Sequence, residues 1–341
     1  MNKSIQLLRG ISIVYIIVLH STFMWPVKLQ NIYFNFFDTA SGVELFFCIA
    51  GYFTAKKIYS YQTYTFQSFI GYVLNRFKRL SPLLFFWATV MFLWGVMADP
   101  IKWGTPNFLY CRLIGTFLYV RNFQEVVTPN AFGYFWAVSL EMQYFCMLSF
   151  LLFILKRQYT IFLLIFLFVI FCFVRPGLLQ SPYFRIDAMI LGSLLYVLNC
   201  TFNDIHLQDN YIEKNKIFEL FLFTVLLLCL SSSLLVLKDY NSLKFSVTSF
   251  IALILTFLAV KKSGIISFKV KIIDLFFEKI GDYSFSLYVC HIITWWISGD
   301  ILHFFYPNCL KIYEILFSMV LMVICTFFSK KYIENIFRHN H

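Results

Sequence analysis

Long apolar runs, separated by short stretches that hold most of the charge, set the frame for the whole chain. Runs such as 218–237 and 245–260 are too long and too uniformly apolar to be ordinary core helices; at this length a hydrophobic run reads as a membrane span. Ten such spans are predicted: 5–24, 40–57, 80–97, 133–155, 160–174, 186–200, 217–237, 244–260, 284–304 and 312–329. The fifth and sixth are short for crossing and are expected to be tilted or longer than these bounds. Residues 108–120 are apolar but include Arg112 and are too short to cross, so an interfacial or re-entrant piece is expected there. The longest connection, 98–132, is aromatic-rich, and no repeat or low-complexity linker interrupts the pattern. The expected architecture is therefore all-α and polytopic: one membrane domain over residues 1–341 with about ten transmembrane helices and no soluble domain.

Charge favours one orientation. The net charge is +11, and on a water-soluble chain it would raise nucleic acid as a partner. Here the basic residues lie in the short connections, and no nucleic-acid role is expected. Placing the N-terminus in the cytoplasm puts about two thirds of the 28 Lys and Arg on the inner side, as the positive-inside rule requires. Both termini are then cytoplasmic. Composition agrees, with 60% of residues hydrophobic and 13% charged. A soluble domain carries about 45–50% and about 25%, so this chain lacks the polar surface to cover a fold in water. The many Phe and Tyr suit bilayer interfaces and lipid contact.

The nine cysteines form no C-x-x-C pair, and six lie inside apolar runs. They read as small buried hydrophobes, with no metal and no disulfide framework expected. Residues 1–24 resemble a signal peptide, yet no A-x-A site follows and Arg9 interrupts the start. This segment is expected to be a retained first helix.

Ionisable residues inside spans are costly and mark function. His20 lies about 6 Å from the outer end of the first span, Glu44 about 6 Å into the second and Glu141 about 12 Å into the fourth, at 1.5 Å per residue. A histidine beside a carboxylate is the basic unit of general base catalysis, so these three are the candidate catalytic set. Arg9 lies about 6 Å from the inner end of the first span. Arg76 and Arg79 precede the third span, and their spacing puts both guanidiniums on one helical face. Arginine donates to phosphates in pairs, although ordinary inner-loop charge also accounts for this group. A cationic inner mouth and a His/carboxylate outer cluster suit a reaction between an inner phosphate-bearing donor and an outer acceptor. A transporter or exporter of a lipid-linked saccharide could share that polarity, but no matched pair of Gly/Pro-broken helices supports one.

Several stretches are similar to one family. Leu8-Arg9-Gly10-Ile11 followed by His20, Gly42-Val43-Glu44-Leu45-Phe46-Phe47 followed by Gly51-Tyr52, and Arg76-Phe77-Lys78-Arg79-Leu80-Ser81-Pro82 resemble the first three signatures of the acyltransferase-3 family. Trp136-Ala137-Val138-Ser139-Leu140-Glu141, Arg185-Ile186-Asp187 with Gly192, and Ser284-Phe285-Ser286-Leu287-Tyr288 with His291 resemble the later ones, in family order. Tyr332-Ile333-Glu334-Asn335 is similar to the usual ending, with Asn335 where proline often stands, and Glu44 stands where the family usually has aspartate.

The resemblance implies a membrane O-acyltransferase. It would move an acetyl or related acyl group from cytoplasmic acyl-coenzyme A to a sugar hydroxyl of an extracytoplasmic glycan, such as O-antigen, capsule or a lipid-linked precursor, in a bacterial inner membrane. It makes His20 the catalytic histidine and Glu44 its acidic neighbour, gives Arg9, Arg76 and Arg79 to the donor, and lets Glu141 either orient the acceptor hydroxyl or stabilise helix packing. His291 reads as a packed, hydrogen-bonded histidine, with a catalytic role as the lesser option. The sequence leaves open the acceptor, the acyl length, direct transfer against an acyl-enzyme, and whether the protein is a homodimer.

Overall fold

The computed structural model describes residues 2–61, 65–124, 132–173, 185–201, 215–240, 242–261 and 265–338, and among them it is helical with no strand. The helices are α1 Lys3–Ser21, α2 Val27–Phe36, α3 Gly42–Tyr59, α4 Phe66–Met97, α5 Pro100–Trp103, α6 Pro106–Phe117, α7 Arg121–Gln124, α8 Trp136–Ile154, α9 Arg157–Phe173, α10 Asp187–Thr201, α11 Lys216–Val236, α12 Leu243–Val260, α13 Lys271–Asp282, α14 Ser284–Phe305 and α15 Lys311–Ser329. A five-residue π-turn, Lys330–Glu334, continues α15.

Each of the ten predicted spans falls on a helix. Seven helical stretches are long and apolar enough to cross a membrane: Lys3–Met24, Phe66–Met97, Gly133–Ile154, Lys216–Val236, Leu243–Val260, Ser284–Phe305 and Lys311–Glu334. An eighth arises if α2 and the Thr39–Tyr59 stretch, bent by 62° at their junction, count as one broken span. α9 and α10 are apolar but shorter. The fifth predicted span ends at residue 174, which lies outside the described residues, as do His206, His339 and His341. Outward faces fit a lipid-facing surface: Phe162, Phe166 and Val169 on α9 and Val320, Ile324 and Phe327 on α15 are exposed at helical spacing. Stripes of this kind have no solvent but hydrocarbon.

Two boundaries differ from expectation for physical reasons. α4 begins at Phe66 rather than at residue 80, because a helix end bearing Arg76, Lys78 and Arg79 projects beyond the apolar layer; the Thr65 hydroxyl caps it, accepting from the Ser68 N–H at 3.2 Å. The basic stretch after α12, expected as a loop, holds α13, an amphipathic helix packed along α1.

The close crossings depend on glycine. A Cβ on Gly192 of α10 would lie 1.9 Å from the Cys48 carbonyl oxygen, and one on Gly51 of α3 would lie 2.1 Å from that of Met189. Each helix therefore lays backbone on the other's glycine, a packing mode common in membranes because small residues let helices approach. α1 and α13 do the same through Gly10 and Gly281, where a Cβ would meet Phe277 O at 2.1 Å and Gln6 O at 2.0 Å. α8 and α14 are the central helices, with 61% of each span buried against 28% for the last.

Candidate active site

At one end of the bundle the starts of α1 and α4 and the ends of α3 and of the π-turn surround a cavity of about 480 Å³. Arg9, Lys57, Arg76 and Arg79 line it together with Tyr72, Asn75, Glu141 and Glu334. Arg9 is aimed inward because Gly10 is turned against α13. Its guanidinium donates to Ser284 Oγ at 2.9 Å and lies 5.7 Å from the Phe46 ring. Arg76 donates through Nε to Tyr72 Oη at 3.0 Å and spreads over the Phe145 ring at 4.4 Å, a stacking that an ammonium would not reproduce. Arg79, one turn further on α4, is exposed. Glu334 is held by Ser286 and by Lys330, each at 2.7 Å. π-turns of this kind are frequent at functional sites. The three arginines expected to share a donor site thus do share one hollow. Lys57 and Tyr72 join them without having been singled out, and Glu334, known only from the family-like ending, joins them too.

Glu141 stands at the junction of this vestibule with a second, narrow space of about 20 Å³, room for a single water. The two share Phe46, Glu141 and Phe285 as walls. Ile16, Val43, Phe47, Ala137, Val138 and Tyr288 complete the narrow part. Arg76, Arg79 and Arg9 are the charged groups that act on Glu141, so it belongs to the cationic vestibule rather than to a cluster around His20.

The narrow space ends at Tyr288, whose ring packs 5.8 Å from that of His291. His291 is fully buried, and its Nε2 lies 2.9 Å from Nδ1 of His20, at the last turn of α1. His20 is half-buried, and among the described residues its Nε2 has no hydrogen-bond partner. Arg9 and His20 lie on one helix, eleven residues or about 16 Å apart along its axis.

The expected pairing of His20 with Glu44 is not what the structure contains. Glu44 is buried and accepts from Nε of Arg185, whose guanidinium lies 4.4 Å from the Phe245 ring. Asp187, two residues on, accepts from Ser246 Oγ at 2.7 Å. The matched depth failed because it assumed that the first two spans end in one plane. Instead α3 starts inside the bundle: Gly42 O accepts from Ser12 Oγ at 2.6 Å, two turns below His20. Val43, Phe46 and Phe47 face the narrow space, which turns Glu44 toward Arg185. Among the described residues no nucleophile stands in place of a carboxylate at His20. The thiol of Cys290 turns to Thr326 Oγ1 at 3.2 Å.

Residues 2–330 match the family's sequence profile, described as an acyltransferase domain. No curated protein and no solved structure matches the chain. A match over nearly the whole length means that the chain belongs to the acyltransferase-3 family, and with its apolar helices it is a multi-pass membrane acyltransferase.

Proposed function

We propose that the protein is a transmembrane O-acyltransferase that takes an acetyl or related acyl group from cytoplasmic acyl-coenzyme A and gives it to a sugar hydroxyl of an extracytoplasmic polysaccharide or lipid-linked glycan. The observation that carries this reading is one continuous arrangement. Arg9, Arg76, Arg79 and Glu141 line a cationic vestibule, its narrow continuation reaches Tyr288, and Tyr288 packs on His291, which bonds His20.

The phosphates of the donor bind the arginines, and Lys57 adds to the positive field. The acyl-bearing arm threads past Glu141, between Phe46 and Phe285, whose side chains swing aside to widen the narrow space. His20 Nε2 takes the proton of the sugar hydroxyl as its oxygen bonds to the thioester carbon. The C–S bond then breaks, and the coenzyme A sulfur leaves with the proton returned by His20. No protein nucleophile is needed, so transfer is direct. Glu44 acts at a distance, holding Arg185 and with it the start of α10. The chain crosses ten times, α3, α9 and α10 included, with both termini and the vestibule in the cytoplasm of a bacterial inner membrane.

Mass spectrometry of surface glycans tests this. Cells carrying the gene should show an acyl mass that is absent without it and absent with His20→Ala, at equal protein in the membrane. Near-normal acylation by His20→Ala would remove His20 from the chemistry, and an unchanged glycan profile without the gene would refute the acceptor class.

A further inference from the structure

His291 Nδ1 lies 2.8 Å from the Tyr288 carbonyl oxygen and 3.2 Å from that of Leu287. Carbonyl oxygens only accept, so this nitrogen bears the proton. A second proton on Nε2 would bury a cation among the rings of Tyr134, Tyr288 and Trp295, 5.1, 5.8 and 5.5 Å away. Among the described residues no carboxylate pairs with His291, and an unpaired buried charge is prohibitively costly. Neither tyrosine can donate to Nε2, because each commits its proton elsewhere. Tyr134 donates to Val289 O at 2.5 Å, and Tyr288 donates to Tyr134 O. His291 is therefore neutral, with the lone pair of Nε2 directed at His20.

That fixes His20 in turn. Its Nδ1, 2.9 Å from a bare nitrogen, must be the donor. The two rings are 22° from coplanar with centroids 5.1 Å apart. At that separation the rings meet tip to tip, as a hydrogen bond in the ring planes requires, and their faces are not in contact. His20 Nε2 is left with its lone pair outward. A free imidazole favours the opposite tautomer, with the proton on Nε2.

We propose that His291 is a positioning residue that selects the catalytically competent tautomer of His20, in the place where a carboxylate was expected. This rests on His20 being the general base. His291 never touches substrate. It holds the Nδ1 proton of His20 away from the acceptor and, when His20 takes up the hydroxyl proton, accepts from the resulting imidazolium. A neutral partner lends less basicity than a carboxylate, so His20 gives the proton up to the leaving thiolate readily.

Nitrogen NMR on the full chain, labelled with 15N-histidine and held in lipid nanodiscs, tests it, with the His20→Ala spectrum giving the assignment. In the native protein His20 should show a protonated Nδ1 and an unprotonated Nε2. His291→Leu should move the proton to Nε2 and lower glycan acylation by about 10²-fold, within the range of general acid–base effects. His291→Gln supplies a carbonyl oxygen that accepts from Nδ1, and should restore both the native tautomer and most of the acylation. A native spectrum with the proton on Nε2 overturns the proposal whichever variants insert, and so does His291→Leu with tautomer and acylation both unchanged. Full acylation by His20→Ala alongside the expected native tautomer would instead defeat the general-base reading on which the proposal rests.

Discussion

Arg76 and Arg79 share a spacing, a helix face and a cavity, yet their surroundings separate them. Arg76 is clamped, with Nε on Tyr72 and its plane over Phe145, while Arg79 is exposed at the rim. A pre-aligned guanidinium loses little freedom when it meets a phosphate, and its fork donates two bonds where an ammonium donates from a point. Arg76→Lys should therefore weaken binding of coenzyme A by about tenfold, or ~1.4 kcal/mol, and Arg79→Lys by less. Calorimetric titration of the detergent-purified protein measures both, and native affinity in the two variants would take the pair out of the donor site. The sequence held these residues in plain view because they are neighbours on one helix. It could not supply the partners of His20 and Glu44. His291 is 271 residues from His20, and Arg185 is 141 from Glu44. No periodicity links such positions, and residue type favoured the wrong match: a carboxylate is the commoner partner of a histidine, but here an arginine had claimed it.

At the scale of the helix, spans were legible because lipid demands apolar length, a local property of the chain. What lies at their ends was not. α2 and the 62° bend after it break the rule that a span starts at the membrane surface, and this displaced Glu44 by about two turns from its expected depth. The extension of α4 down to Phe66 follows from capping and charge rather than hydropathy. α13 is only half apolar and reads as a loop when spans alone are sought. The glycines of the family-like stretches acquire a cause at this scale. Gly192 should not tolerate even a methyl group, since a Cβ there would lie 1.9 Å from Cys48 O, a backbone atom that cannot step aside. Gly192→Ala is expected to cost about 1–3 kcal/mol, typical of an overpacked contact, and to lower the unfolding temperature in detergent. Gly71, where an added Cβ would meet nothing within 4 Å, should accept alanine without such a loss. Equal thermal stability of the two variants would mean that α3 and α10 do not cross as closely as described.

Across the whole molecule, charge is distributed unequally between the two ends. Four basic groups, Arg9, Lys57, Arg76 and Arg79, face one cavity, and a nearby hollow at the same end gathers Lys3, Lys216, Lys269 and Lys271 with Asp274 and Glu278 as its acidic walls. At the opposite end Lys102 pairs with Asp300 at 2.5 Å and Lys311 with Glu314 at 3.2 Å. A cytoplasmic basic end satisfies the positive-inside rule and puts the donor vestibule where acyl-coenzyme A is made, so topology and mechanism stand on the same asymmetry. The test is accessibility. In a background with the native cysteines replaced, Ser60→Cys, just past α3 at the basic end, should react with a membrane-impermeant maleimide only after the cells are opened. Asn308→Cys, between α14 and α15, should react in intact cells. With ten crossings Lys3 shares the side of Ser60, so an N-terminal tag should be protected whenever Ser60→Cys is protected. The reverse labelling pattern would put the arginines outside, beyond reach of a cytoplasmic donor, and would leave His20 on the inner side with no glycan to acylate.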